Sequence, residues 1–407
     1  MNRYLLAGCA AAALAMGAGA ANAQAKFEVK LSGDAYFEGG YVDQDRDAGL
    51  RSTEFRNRFR LNVQPTAKAD NGLEYGARAR IRAQSGAGTL DADRGYVFVQ
   101  GGFGQVRLGV TNSFNDDSYV SRPIDYEFLG VYDAFMSYIT GTSNTAQTTT
   151  AAVGRADVGG AIQGTNTLTA HSITANANAT KIVYYSPVFS GFQAGLSYTP
   201  RNDSNLTDVN RTKAGTSAVI GAANSATGIA YGNWSQAFQD IVEIGANYKN
   251  TFGGVGVAVG GGYFWGKAET TSGVAYKDLN AFQLGAKVSY AGFTLGGGYL
   301  SHGESGQAKT ANLFRDKNEV WNVGLQYATG PIMVGAAYTN GKDPGSLSVR
   351  GKRELETWGL GASYTVAPGL AVGAEYTYFD ANSDLTTATT NYDDKGSVIL
   401  LRSVLTF

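Results

Sequence analysis

Residues 27–37 read FEVKLSGDAYF and alternate strictly between two kinds of side chain. The odd positions are apolar or small, whereas the even positions carry a charge or a polar group. A period of two is typical of a β-strand that has one apolar and one polar face. Sixteen segments with this character follow one another along the chain. They lie near residues 27–41, 51–65, 72–84, 94–101, 104–112, 180–187, 191–199, 238–249, 254–266, 278–290, 292–302, 317–328, 331–340, 353–366, 369–380 and 396–407.

The segment lengths and their connections predict a barrel in a membrane. Most segments approach the ~9–11 residues that a tilted strand needs to cross a bilayer. Tight links alternate with long polar ones, and an even strand number with this alternation is the layout of a transmembrane β-barrel. Five tyrosines are expected to close strands before short turns and to form an interface girdle: Tyr198, Tyr248, Tyr290, Tyr327 and Tyr364. We therefore predict an all-β, antiparallel transmembrane barrel of 16 strands; the alternative is a large soluble β-sandwich or solenoid.

Composition excludes other classes of protein. The 407 residues include 55 Gly and one Cys, and the formal net charge is −1. This balance argues against a nucleic-acid binder, which normally carries a basic excess. No segment after the N-terminus offers 18 or more consecutive apolar residues, so no membrane-spanning helix is expected.

The N-terminus has the character of an export signal. Arg3 precedes a run of Ala, Leu and Gly, and Ala21-Asn22-Ala23 fits the cleavage rule of a secretory signal. We predict a signal peptide over 1–23 and a single barrel domain over 24–407, without cysteine once Cys9 is removed. Lipid attachment at Cys9 is the alternative, although only five residues separate Cys9 from Arg3, too few for an apolar signal core.

Five stretches resemble the general diffusion porins of Gram-negative outer membranes, particularly the alphaproteobacterial type. The most specific stretch is KIVYYSPVFSGF (181–192), which is similar to the family's Tyr-x-Ser-Pro-x-Phe-x-Gly-Phe signature. The others are VKLSGD (29–34), NGLEYG (71–76), GFGQVRLG (102–109) and the terminal VLTF (404–407). The resemblance covers essentially the whole chain after the signal peptide.

The resemblance implies a homotrimer in the cell outer membrane that passes small hydrophilic solutes passively. It also implies contact with outer-membrane lipid and lipopolysaccharide, recognition of Phe407 by the barrel-assembly machinery, and a third loop (112–180) folded into the lumen. Two features depart from the family. The usual acidic-glycine tip of the third loop is not recognisable, and residues 141–180 form an insertion rich in Thr, Ala and Asn.

Six arginines are expected to form a basic wall of the pore. Facing lipid, each would cost ~2–4 kcal/mol, and together they would exceed the ~5–15 kcal/mol that stabilises an ordinary fold. They alternate with apolar or uncharged residues on two neighbouring strands and must face water. A functional cationic wall is the hypothesis, and a merely solvated face is the alternative. The six are Arg56, Arg58, Arg60, Arg78, Arg80 and Arg82.

Acidic residues after the fifth segment are expected to oppose this wall. They are interspersed with aromatic residues, which an exposed loop does not need but a loop packed inside a barrel does. Opposed charges across a narrow aqueous gap would act as a sieve for ions. An ordinary exposed acidic loop is the alternative. The acids are Asp116, Asp117, Asp125, Glu127 and Asp133.

The 1, 3, 5, 12 spacing of a calcium loop is found in Asp43, Asp45, Asp47 and Glu54, so calcium binding is one interpretation of this segment. Position six is Ala48 instead of Gly, so a polar hairpin is the preferred interpretation and no cofactor is predicted.

Catalysis is the competing functional class. His171 and His302 lie in no recognisable nucleophile or metal motif, so we predict no enzyme. A substrate-selective channel or an adhesin-like barrel that uses the long 141–180 and 200–237 loops remains the alternative function.

Overall fold

The computed structural model of the protein describes residues 26–45, 51–83, 90–125, 134–139, 179–202, 238–268, 274–344, 350–384 and 393–407, with residues 168, 173, 209, 211, 270 and 347 between them. Sixteen antiparallel strands form one closed barrel, in which each strand pairs with its neighbours in sequence and β1 pairs with β16. The predicted fold class is confirmed. The strands are β1 Glu28–Gln44, β2 Thr53–Lys68, β3 Glu74–Ala83, β4 Leu90–Gly101, β5 Gly104–Val110, β6 Thr180–Tyr185, β7 Phe192–Arg201, β8 Phe238–Phe252, β9 Val255–Ala268, β10 Leu279–Tyr290, β11 Phe293–Gly303, β12 Asn318–Thr329, β13 Ile332–Asp343, β14 Arg353–Ala367, β15 Leu370–Ser383 and β16 Asp394–Thr406.

Among the described residues, two short helical segments lie outside the strands. An α-helix, α1, spans Phe114–Ser118, and the hydroxyl of Ser113 caps it by accepting from the Asp116 N–H at 3.2 Å. A 3₁₀ turn spans Ala134–Ser137. In the part of the chain that the structure describes, no helix is long and apolar enough to cross a membrane.

The two faces of the barrel differ in chemistry, as the period of two predicts. Large apolar side chains point outward and are exposed, for example Phe55, Leu284 and Leu401. The inner face carries buried polar and charged side chains such as Glu38 and Asn322. An apolar outer face around a polar interior is the pattern expected of a barrel that spans a membrane.

Aromatic side chains form two rows on the outer face. One row lies toward the long connections, where the ring centroids of Trp321 and Tyr338 are 4.9 Å apart and those of Tyr338 and Trp358 are 4.3 Å apart. The other row lies beside the short turns and includes the Phe293–Tyr327 pair at 4.4 Å. Four of the predicted girdle tyrosines belong to this second row: Tyr248, Tyr290, Tyr327 and Tyr364.

Tyr198 is an exception to the predicted girdle. Strand β7 runs to Arg201 and is followed by the long connection to Phe238, so Tyr198 lies at the opposite end of the barrel. Its hydroxyl donates to the Asp240 carboxylate at 2.9 Å. The prediction was wrong there because the short turn precedes this strand instead of following it.

The barrel closes around the last residue of the chain. The N–H of Phe407 donates to the carbonyl of Gly33 at 3.0 Å, and the Gly33 N–H donates to the Phe407 carbonyl at 2.7 Å. The Phe407 ring lies over Gly33, where an added Cβ would be 2.7 Å from Phe407 Cζ. The ring centroids of Phe407 and Phe59 are 6.2 Å apart. Gly33 therefore leaves the space that the terminal ring fills.

Candidate functional site

The connection between β5 and β6 contacts the polar inner face of the barrel. Beyond the α1 cap, the Asn115 side chain donates to the carbonyl of Ile244 at 3.2 Å. The hydroxyl of Ser121 donates to Asn322 Oδ1 at 2.8 Å, and the Gln326 amide donates to the Asp125 carboxylate at 3.1 Å. These contacts carry residues 114–125 across the inner wall from β8 to β12.

Glycines on the inner face make room for this part of the connection. A Cβ added at Gly262 would lie 2.5 Å from the Asn115 side chain, and one at Gly260 would lie 2.9 Å from Val120 Cγ2. Several of these glycines face one another across neighbouring strands, so the backbone forms a continuous shallow groove. We call the set the glycine track: Gly195, Gly245, Gly260, Gly262, Gly285, Gly296, Gly298 and Gly324.

Residues 134–139 contact the opposite side of the lumen. The rings of Phe135 and Phe379 stack with centroids 6.5 Å apart. The Tyr138 hydroxyl donates to Glu38 at 3.0 Å, and its ring lies over Gly40. The described parts of the β5–β6 connection thus lie against β7–β12 and against β1, β2, β15 and β16.

The six predicted arginines all lie on β2 and β3, but they differ in their partners. Arg58 and Arg60 both donate to Asp34, at 3.0 and 2.8 Å. Arg56 pairs with Glu38 and donates to the Ser137 hydroxyl at 2.5 Å, so it holds the connection.

The three β3 arginines show the same diversity. Arg80 makes a two-point contact with Asp93, at 2.7 and 2.5 Å, and Arg82 lies 3.2 Å from the same carboxylate. Among the described residues, Arg78 donates only to the neutral side-chain carbonyl of Asn62, at 2.9 and 3.3 Å.

Asp93 is a site residue that the sequence analysis missed. Strict alternation would turn Asp93 outward, because Arg94 beside it belongs to the inner face. The β3–β4 register shifts at this point, since Arg80 pairs with Arg94 and Ile81 pairs with Ala92. A bulge of this kind puts one extra residue on one strand and redirects its side chain, and here Asp93 reaches three arginines.

Other missed residues share the inner face with the predicted ones. Arg94 and Arg107 extend the basic wall onto β4 and β5. Arg402 on β16 pairs with Glu38 and with Glu375. Each of these arginines is the single arginine of its strand, whereas β2 and β3 carry three each. The alternation of one charged residue with apolar neighbours is therefore a weaker sequence signal.

The predicted acids are spread along the connection instead of forming a single row. Asp117 pairs with Arg107 at 2.7 Å and accepts from the Tyr185 hydroxyl at 2.8 Å. Asp125 contacts Gln326 on the β12 wall. Burial against the inner wall raises the pKa of the Asp116 carboxyl to about 7, and the neighbouring Asp117 carboxylate adds to the rise. Glu127 and Asp133 lie outside the described residues.

The residues weighed for calcium have cationic neighbours. Glu54 pairs with Arg51, and Asp45 lies 4.0 Å from the Lys395 ammonium. Asp43 lies in β1, and Asp47 is outside the described residues. Among the residues with described positions, no three His, Cys, Asp or Glu side chains form a group that could hold a metal ion.

Comparisons with known proteins agree with this architecture. A family model described as Gram-negative porin matches residues 10–384. Uncharacterized proteins of Rickettsia felis and Rickettsia conorii are each 25% identical to the chain, over 395 and 400 residues, covering 87% of it and 86% of each relative.

Solved structures share the fold. A mutant of Rh. blastica porin superposes with a TM-score of 0.51 at 17% identity, covering 93% of this chain and all of that one. A loop-deletion mutant of OmpT, an outer membrane protein of Vibrio cholerae, gives a TM-score of 0.56 at 15% identity, covering 93% and 99%. Together with the closed barrel of sixteen strands, the family match shows that the chain belongs to the Gram-negative porins.

Proposed function

We propose that the protein forms a water-filled channel through the outer membrane, by which small hydrophilic solutes and ions diffuse passively. The family and the barrel fold imply the outer membrane and are typical of channels without enzymatic activity. The observation that carries the proposal is the lumen wall of β2–β5, where arginines outnumber the described carboxylates that pair with them. Such charges are compatible with water and not with a packed core.

Reconstitution in planar bilayers tests this function. The purified barrel should give stepwise conductance that rises in proportion to salt, and its liposomes should swell in small sugars. Saturation of the current by one solute would instead favour the alternative, a substrate-selective channel. A correctly folded barrel that conducts no ions would contradict both channel functions.

We propose further that β2–β5 and the acids of the connection set the ion preference of the channel. The β2–β3 part of the basic wall consists of Arg56, Arg58, Arg60, Arg78, Arg80 and Arg82, and Asp117 and Asp125 are among the described acids. Arg107 and Asp117 support this arrangement, because they pair across from β5 to α1.

We also propose a homotrimer. Asn57 lies exposed on the outer face between Phe55 and Phe59, and a polar amide is costly in hydrocarbon. Beside it an apolar groove of about 710 Å³ runs over Gly39, Ala374 and Ala362. A protein neighbour would cover both features. Cross-linking in native membranes should capture trimers, and capture of monomers alone would contradict this assembly.

Export and assembly complete the proposal. The signal peptide over 1–23 lies outside the described residues, and its cleavage would be seen as a mature N-terminus at Gln24. Lipopolysaccharide and outer-membrane lipid would contact the aromatic rows, and the barrel-assembly machinery would read Phe407.

A further inference from the structure

The inner wall of β8–β12 carries an apolar patch beyond the glycine track, toward the long connections. Its side chains share the inner face with the polar residues of the same strands, yet each is at most 1% exposed. Apolar groups that face a lumen gain burial only when another segment covers them. The patch consists of Ile241, Phe264, Leu279, Leu300 and Val320.

Ile173, from the connection between β5 and β6, is packed in this patch. Its own side chain is 1% exposed, and it belongs to the same apolar cluster. Leu168 extends the contact to β13, where its backbone lies over Gly341. Gly341 pairs with Val320 of the patch, so the two attachments are adjacent on the wall.

Gln283 of β10 joins both parts of the connection through one side chain. Its Oε1 accepts from the Ile173 N–H at 2.7 Å, and its Nε2 donates to the Asn115 carbonyl at 3.0 Å. Because one partner is a backbone donor and the other a backbone acceptor, the orientation of the amide is fixed. Gln283 is 5% exposed, so loss of either bond would leave a buried polar group without a partner.

We infer that Gln283 is a positioning residue which, together with Ile173, holds the β5–β6 connection on the β8–β12 wall and thereby sets the width of the pore. The connection then narrows the lumen from the β8–β12 side. This inference rests on the proposed channel function, because width has meaning only for a conducting lumen.

The first test compares Gln283→Ala with Gln193→Ala in single-channel recordings. Gln193 lies on the inner face of β7, and its amide donates at 3.1 Å to the Ser186 carbonyl in a short turn, away from the connection. Gln283→Ala and Ile173→Ser should both raise the conductance and speed the uptake of larger sugars, while Gln193→Ala should leave both unchanged. Unchanged conductance in the first two variants, with heat-modifiable mobility in SDS retained, would overturn the inference.

A second test does not depend on conduction. With Cys9, the one cysteine of the chain, replaced by Ser, Ile173→Cys can be labelled with a membrane-impermeant maleimide. Val209→Cys serves as the exposed reference, because Val209 is 84% exposed. The thiol of Ile173→Cys should react far more slowly than the thiol of Val209→Cys. Adding Gln283→Ala should remove that protection, and adding Gln193→Ala should not.

The two tests separate the possible failures. Rapid labelling at 173 in the otherwise unaltered barrel would overturn the attachment itself. Slow labelling together with a wild-type barrel that conducts nothing would contradict the proposed channel and leave the attachment standing.

Discussion

Arg78 differs from the neighbouring arginines in having a neutral partner. Its guanidinium donates to the Asn62 carbonyl, whereas Arg80 grips both oxygens of Asp93. A guanidinium remains charged at any working pH. Removing Arg78 therefore subtracts a fixed positive charge from the wall without stranding a carboxylate, whereas removing Arg80 weakens the support of Asp93.

Arg78→Gln should shift the zero-current potential across a KCl gradient toward cations and leave the stability unchanged. Arg80→Gln should shift the potential in the same direction and also lower the stability by about 1–3 kcal/mol, because the Asp93 side chain is only 6% exposed and loses its two-point donor. The triple replacement of Arg78, Arg80 and Arg82 by Gln should give the largest shift. In molar salt, where the Debye length is ~3 Å, the shifts should shrink. If the zero-current potential of the triple variant is unchanged at low salt, these arginines do not line the narrow part of the pore.

Asp116 is expected to make the docking of the β5–β6 connection depend on pH. Its pKa is raised from 3.8 to about 7 by burial and by Asp117, although Arg94 opposes the rise. Lys181 acts in the same direction as Arg94, and Glu243 adds to the rise. A raised folded-state pKa means that the docked connection holds the proton more tightly than a released one. Its contribution to docking is complete below about pH 4 and is lost as the pH rises through about 7.

Conductance should therefore rise as the pH is raised through about 7, because ionisation of Asp116 weakens the docking of the connection on the wall. Asp116→Asn cannot ionise and should give a flat profile over the same range. The measurement is single-channel conductance of both proteins at matched salt from acidic to alkaline pH. An identical pH dependence in the Asn variant would assign the titration to another group.

The positions of the individual strands could be predicted from the sequence, but the surface on which the β5–β6 connection lies could not. The alternation that identifies β1 or β12 is local to eleven or so residues, so it survives without any knowledge of the neighbours. The glycine track depends on which residues face one another, for example Gly260 with Gly285 and Gly245 with Gly262. Register of this kind is a property of pairs of strands, and no single segment displays it.

The bulge at Asp93 is a second feature that depends on the pairing of two strands and that one segment alone does not show. One extra residue in β4 reverses the inward and outward assignment on one side of it. A strict period of two therefore identified Arg78, Arg80 and Arg82 correctly as inward residues, while it left out the carboxylate that neutralises two of them.

The docking of α1 and the residues after it can be tested with a disulfide. A Cβ placed at Gly260 lies 3.5 Å from Val120 Cβ, within the ~3.5–4.5 Å range of disulfides. Val120→Cys with Gly260→Cys, in a Cys9→Ser background, should cross-link readily under mild oxidation. Val120→Cys with Gly256→Cys is the matched control, since Gly256 lies on the same strand and has Ser289 as its nearest neighbour. Equal cross-linking of the two pairs would contradict a fixed seat for residues 114–122.

At the scale of the whole molecule, the terminal residue joins the two ends of the sheet. Deleting Phe407 should reduce insertion into the outer membrane while export continues, because the ring that covers Gly33 and the last pair of backbone hydrogen bonds are lost. Gly33→Val keeps Phe407 but crowds the Arg60 carbonyl and the Phe407 ring, which should destabilise the barrel by about 1–3 kcal/mol.

Surface abundance and the heat-modifiable band in SDS measure both variants. Normal surface levels of the deletion would reject Phe407 as an assembly signal. If Gly33→Val inserts normally while the deletion does not, the signal is read from the chain end itself and not from the closed sheet.

Pairing of β1 with β16 also fixes the order of events in time. Residue 34 pairs with residue 406, so the ring cannot close before β16, the last of the sixteen strands, is available. Until then β1 and β15 each keep one unpaired edge. Unpaired edges of this kind are prone to pair with other chains. Contacts so distant in sequence form slowly. We therefore expect the chain to stay open, with the outer edges of β1 and β15 accessible to other chains, until β16 is in place.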